Sequence, residues 1–72
     1  MKILQFTQLN PAQRTDAINK MIDISRDLNV AIAGVKGDKL LEAINQDVSP
    51  DADFIFDEID DTSVDVIYRE NI

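Results

Sequence analysis

The stretch that most constrains the fold is Asn10-Pro11-Ala12-Gln13 and the apolar pattern behind it. Asn10 can accept from the unpaired N–H groups of a first helical turn, Pro11 suits the first helical position, and Gln13 stands where a capping box places it. A helix therefore starts at Pro11. Ala17, Ile18, Met21, Ile22, Ser25 and Leu28 follow at three- and four-residue steps, while Arg14, Asp16, Lys20, Asp23 and Asp27 lie mainly around the other side. Asp16 and Lys20 form an i,i+4 pair in the favourable order. The helix runs to about Leu28, with Asn29 as its stop.

The remaining segments arrange themselves around this helix. Met1 to Phe6 reads as a short strand, with Leu4 and Phe6 on one side and Ile3 on the other. From Val30 to Val35 the apolar run fits a buried strand or a buried helical piece, and periodicity does not separate the two. Gly34 and Gly37 then break the chain. Asp38 is a natural N-cap for a second helix from Lys39 to about Gln46, with Leu40, Leu41 and Ile44 on one face. Ser49-Pro50-Asp51 makes a turn or linker; a competing reading has Ser49-Pro50 cap a short helix through Phe56. Phe54–Ile59 and Val64–Tyr68 read as a hairpin joined by Asp60-Asp61-Thr62-Ser63, with Phe54 and Phe56 sharing a face of the first strand and Val64, Val66 and Tyr68 a face of the second.

The resulting order is β-α-α-β-β, an α+β fold in one compact domain over residues 1–72: a three-stranded antiparallel sheet with two helices on one face. The expected core is Ile18, Met21, Ile22, Leu28, Leu40, Leu41, Ile44, Phe54, Phe56, Val64 and Val66. Ile55, Ile59 and Ile67 are left over for the sheet's far side, which makes a homodimer one hypothesis. A 72-residue chain can bury only about 60% of its unfolded surface, so the core is thin.

Composition narrows the function classes. The chain has no cysteine and no histidine, hence no disulfide, no thiolate or imidazole metal ligand and no base that titrates near neutrality. Ser25, Ser49, Ser63, Thr7, Thr15 and Thr62 lack a histidine partner, and paired carboxylates would need a cleft to raise one pKa. A non-enzymatic protein without metal or cofactor is expected. Apolar runs such as Val30–Ala33 are far too short to cross a bilayer and the opening is too short for a signal peptide, so the default is a soluble cytoplasmic protein with no membrane partner.

Charge is the most unusual property. The net charge is −7, which disfavours binding to a phosphate backbone. It is also polarised: residues 1–37 hold five basic and three acidic side chains, a net +2, whereas residues 38–72 hold two basic and eleven acidic, a net −9. Between Asp47 and Asp65 there are eight acidic residues and no basic one. Aspartates placed in turns and on edge strands account for part of this as solubility and protection against aggregation. The functional reading is a docking surface for a basic partner, with Asp53, Asp57, Glu58, Asp60, Asp61 and Asp65 as its residues and an inhibitor or adaptor as its role. Such a surface presents carboxylates where phosphates would lie, and its binding weakens as salt rises. A calcium loop is excluded: after Asp51 and Asp53, Phe56 occupies the sixth position, where glycine is required.

The sequence carries three local resemblances. Gly34-Val35-Lys36-Gly37, between two helices, resembles the backbone clamp of the KH family of single-stranded nucleic-acid binders; that likeness, over residues 31–45, implies that Gly34, Lys36 and Gly37 would touch nucleic acid. Asp38 follows at once and Lys39 is the only other base nearby. Ile24–Val30 is similar to the first helix and turn of a helix-turn-helix, but its recognition helix would contain both glycines. Phe6-x-x-Leu9 followed by Arg14-x-x-Ala17 resembles the start of several small phage-encoded proteins, too few residues to name a family. With size and charge, it underlies the expectation of a gene carried by a phage or other mobile element.

Overall fold

In the computed structural model, which describes residues 2–46 and 49–71, helix α1 runs Pro11–Leu28 between the caps its sequence provides. Asn10 Oδ1 accepts from Gln13 N at 2.8 Å, and Gln13 Oε1 accepts from Asn10 N at 3.1 Å. Asn29 stops the helix in the left-handed conformation, φ 51°.

Strand β1 is Ile3–Leu4, β2 is Phe54–Asp60 and β3 is Ser63–Tyr68; the second helix, α2, is Leu40–Asn45. The sheet is antiparallel in the order β1-β2-β3, so the fold is the α+β arrangement β-α-α-β-β. Burial alternates along the strands: Phe54, Phe56, Val64, Val66 and Tyr68 are buried under the helical layer. Phe54 lies 5.5 Å from Tyr68 and 6.4 Å from Phe56, and Phe56 lies 5.7 Å from Phe6, each centroid to centroid. Ala17 and Met21 of α1, with Leu9, Ile32 and Leu40, complete this core.

Several expectations need correction. The first strand does not reach Phe6. At Phe6 the chain enters a 3-10 turn, Phe6–Gln8, because the Phe6 N–H is taken by the Asp51 carboxylate (2.9 Å) and not by a neighbouring strand. Met1, expected at the head of that strand, lies outside the described residues. Asp38 caps no helix: it sits inside a 3-10 turn, Gly37–Lys39, that leads into α2. α2 has only six residues and turns Leu40, Ala43 and Ile44 toward the core, so Leu41, off that face, is 47% exposed. Leu28, at the last position of α1, is 43% exposed, and Ile18, Ile22 and Ile44 are half-buried around the core. Ser49 caps a single 3-10 turn, Pro50–Ala52, intermediate between the two readings of that segment.

Residues 30–35 resolve into a two-residue hairpin. Ile32 and Val35 exchange both backbone hydrogen bonds, at 2.8 and 2.9 Å, across Ala33 (φ 50°) and Gly34 (φ 82°). Positive φ at both central positions is the condition for a type I′ turn, which explains why a glycine stands there. The buried Ile32 is the residue this turn delivers to the core.

Candidate functional site

The acidic half of the chain folds into the hairpin, but its carboxylates diverge. Even-numbered residues of β2 face the helices and odd-numbered ones face away. Glu58 therefore points toward α1, where it accepts from Gln13 Nε2 at 2.8 Å and pairs with Lys2 Nζ at 3.7 Å. Asp57 and Asp65 are directly opposite each other on the uncovered face. Asp57 leans toward β1 and accepts from the Lys2 backbone N–H at 3.0 Å. Asp60 and Asp61 occupy the turn at one end of the hairpin, and Asp53 lies beside the Phe54–Tyr68 pair at the other. Asp47 lies outside the described residues.

Four acids of the run thus serve the fold. Asp51 holds Phe6 N and the Ser49 hydroxyl (3.1 Å), besides the roles of Asp57 and Glu58. Asp60 accepts from Thr62 N, Thr62 Oγ1 and Ser63 Oγ within 2.9 Å, and these donors, the Thr62 N–H first, hold its carboxyl below the ordinary value. Asp53 is half-buried; with Glu70 its charge adds to burial in pushing the Tyr68 phenol up. Asp61 and Asp65 are exposed, and among the described residues neither carboxylate has a hydrogen-bond partner.

The uncovered sheet face is mixed in character. Ile3 is opposite Asp57, and Ile55 is opposite Ile67. Ile3 is 53% exposed and Ile59 60%, the latter at an irregularity where the pairing shifts between Glu58 and Asp60. Ile3, Ile55, Ile59 and Ile67 therefore share with Asp57 and Asp65 a surface that no element of the described chain covers. Directly opposed like charges destabilise a sheet by a few tenths of a kcal/mol up to about 1.

Sequence reasoning missed a second feature, the way α1 grips the hairpin. Gln13 is 2% exposed, and its Nε2 donates to Asp60 O (2.7 Å) as well as to Glu58; Asn10 Nδ2 donates to Asp61 O (2.8 Å). One turn later Asp16 Oδ2 accepts from Val64 N (3.0 Å), while Lys20 Nζ donates to Val64 O (2.5 Å) and to Asp16 (2.9 Å). Lys20, then the Val64 N–H, hold the Asp16 carboxyl below its ordinary value. The capping-box and i,i+4 patterns were visible; their second role across the fold was not.

The glycine pair forms no open clamp. Gly34 is exposed in the I′ turn, Lys36 is exposed, and Gly37 is buried so closely that an added Cβ would lie 3.1 Å from Ser25 Oγ. Arg26 and Lys36 line a hollow of about 300 Å³ there together with Asp38. A larger hollow of about 340 Å³ between α1 and α2 is lined by Phe6, Ile18, Ile44 and Pro50, with the Arg14 guanidinium 5.4 Å from the Phe6 ring centroid. Among the described residues no three acidic side chains converge to hold a metal ion, and no helix is long and apolar enough to cross a membrane. Compared with protein-family models, with curated proteins and with solved structures, the chain finds no match.

Proposed function

We propose that this protein is a non-enzymatic interaction module that docks a basic protein surface through its acidic carboxy-terminal half, as an inhibitor or adaptor. The observation that carries this reading is the Asp57–Asp65 pair: two aspartates occupy directly opposed positions, an arrangement of like charge that sheets generally disfavour, on a sheet face left uncovered among isoleucines. A partner bearing arginine or lysine over an apolar centre would relieve the repulsion and cover Ile3, Ile55 and Ile67 together. A second copy is a poorer occupant, because face-to-face pairing would bring four aspartates together between chains of net charge −7.

The test uses the two acids that the fold does not need. Asp61→Lys with Asp65→Lys is compared with Asp38→Lys with Glu42→Lys, a control of equal charge change on other exposed positions, after circular dichroism has confirmed folding. Affinity capture from host extract at low salt, with elution by rising salt, is expected to lose the partner for the first pair and keep it for the second. Equal capture by both variants refutes the reading, as does the absence of any salt-sensitive partner.

A further inference from the structure

The register defines which backbone groups of β3 are unpaired. Glu58 N donates to Lys2 O at 2.8 Å, so Phe56 and Glu58 direct their backbone groups toward β1, and Ile55 and Asp57 direct theirs toward β3. Asp57–Asp65 and Ile55–Ile67 are then the hydrogen-bonded pairs, and Val64, Val66 and Tyr68 turn their backbone groups away from β2, to the outer edge of the sheet. At Val64 that edge is closed by Asp16 and Lys20. The Val66 N–H and C=O and the Tyr68 N–H remain directed outward.

The surroundings of this edge are mostly acidic, with Lys20 at Val64 and Arg69 beyond Tyr68 as the basic side chains at its two ends. Helix α1 touches the hairpin turn through Asn10 and Gln13 and touches Val64 through Asp16 and Lys20, so it runs alongside β3 in the same direction. Beyond Lys20 the same stripe of α1 continues with Asp23 and Asp27, both exposed, and on the uncovered face the edge is flanked by the exposed Asp65. Natural edge strands are commonly protected by lysine, proline or cover. Past Lys20 the α1 stripe and Asp65 give this edge acidic flanks, and no lysine or proline lies on β3 itself.

We infer that β3 takes up an extended, lysine- or arginine-bearing segment of a partner as a fourth strand, paired through Val66 and Tyr68 and held between the acidic stripe of α1 and Asp65. This rests on the docking function proposed above and specifies how the partner is bound: main-chain hydrogen bonds give affinity, and alternate side chains read the acidic flanks. Self-pairing of two β3 edges is disfavoured by the same charges.

The probe is a capped eight-residue peptide alternating lysine and valine, titrated into the whole protein at low salt, together with two versions N-methylated on alternate residues. Strand addition slows hydrogen exchange at the Val66 and Tyr68 amides, and one N-methylated version binds at least about tenfold more weakly than the other, because only one set of N–H groups faces β3. Equal binding of the two versions, or unchanged exchange at both amides, overturns strand addition while leaving salt-sensitive docking intact. No binding of the unmodified peptide also overturns it. Loss of the host partner in the Asp61/Asp65 experiment reports separately on the docking surface.

Discussion

Gln13 is the residue whose replacement most directly tests how the hairpin is held. Gln13→Glu keeps the shape and the oxygen that accepts from Asn10 N, but replaces the amide that donates to Glu58 Oε2 and Asp60 O. One charge-assisted bond of about 2 kcal/mol and one neutral bond of about 1 kcal/mol are lost. The new carboxylate also faces that of Glu58, bringing the expected loss near pH 7 to about 3 to 4 kcal/mol. A domain of this length has only about 4 to 11 kcal/mol in total. The proximity of Glu58 raises the folded-state pKa of the introduced acid, so the missing stability returns as pH falls through that value and the pair shares a proton. Urea unfolding of both proteins at pH 7 and pH 5 measures this. With m about 1 kcal/mol/M, the midpoint falls by about 3 M at pH 7 and by less than half of that at pH 5. Gln13→Met, which removes the donors without adding charge, loses about 3 kcal/mol at either pH. Equal stability of Gln13→Glu and wild type at pH 7, or an equal deficit at both pH values, refutes the assignment.

Ala33 occupies the left-handed region at the first central position of the I′ turn, so Ala33→Asn should stabilise the protein by about 0.5 to 1 kcal/mol, read as a higher urea midpoint with unchanged m. Gly37→Ala places a methyl group 3.1 Å from Ser25 Oγ and 3.3 Å from Ile22 O, and is expected to lose about 1 to 3 kcal/mol in the same assay. Asp16 and Asp60 are both held below the ordinary 3.8, so their contribution is present above that value and disappears as pH falls below it. Asp16→Asn should therefore narrow the stability difference between pH 7 and pH 3, which unfolding curves at the two pH values will show.

Much of the architecture was legible because its signals are local. The α1 boundaries follow from Asn10, Pro11, Gln13 and Asn29, residues that act on the backbone within one turn of themselves. The alternation of Phe54, Phe56, Val64, Val66 and Tyr68 identified the buried side of the hairpin. What was not legible depends on distant partners. Asp51, Asp57 and Glu58 bond to groups 45 to 55 residues away, so nothing near them distinguished acids that hold the fold from acids that face outward. The early end of β1 has the same origin, since Asp51 captures the Phe6 N–H. In Val30–Val35 the composition favoured no one conformation, and the pair Ala33-Gly34 carries only half of the preferred Asn-Gly turn signal.

The capping pair of α1 has a kinetic consequence. Asn10 and Gln13 cap the first turn locally, but their side-chain amide N–H groups bond to residues 45 to 51 positions later, so the caps are fully paired only once the far end of the chain has arrived. An isolated 18-residue helix is marginal in water, and the hairpin alone has no layer against which to bury its phenylalanines. Neither half is expected to persist without the other, so the molecule should fold in a single all-or-none step whose rate is limited by closing that long loop.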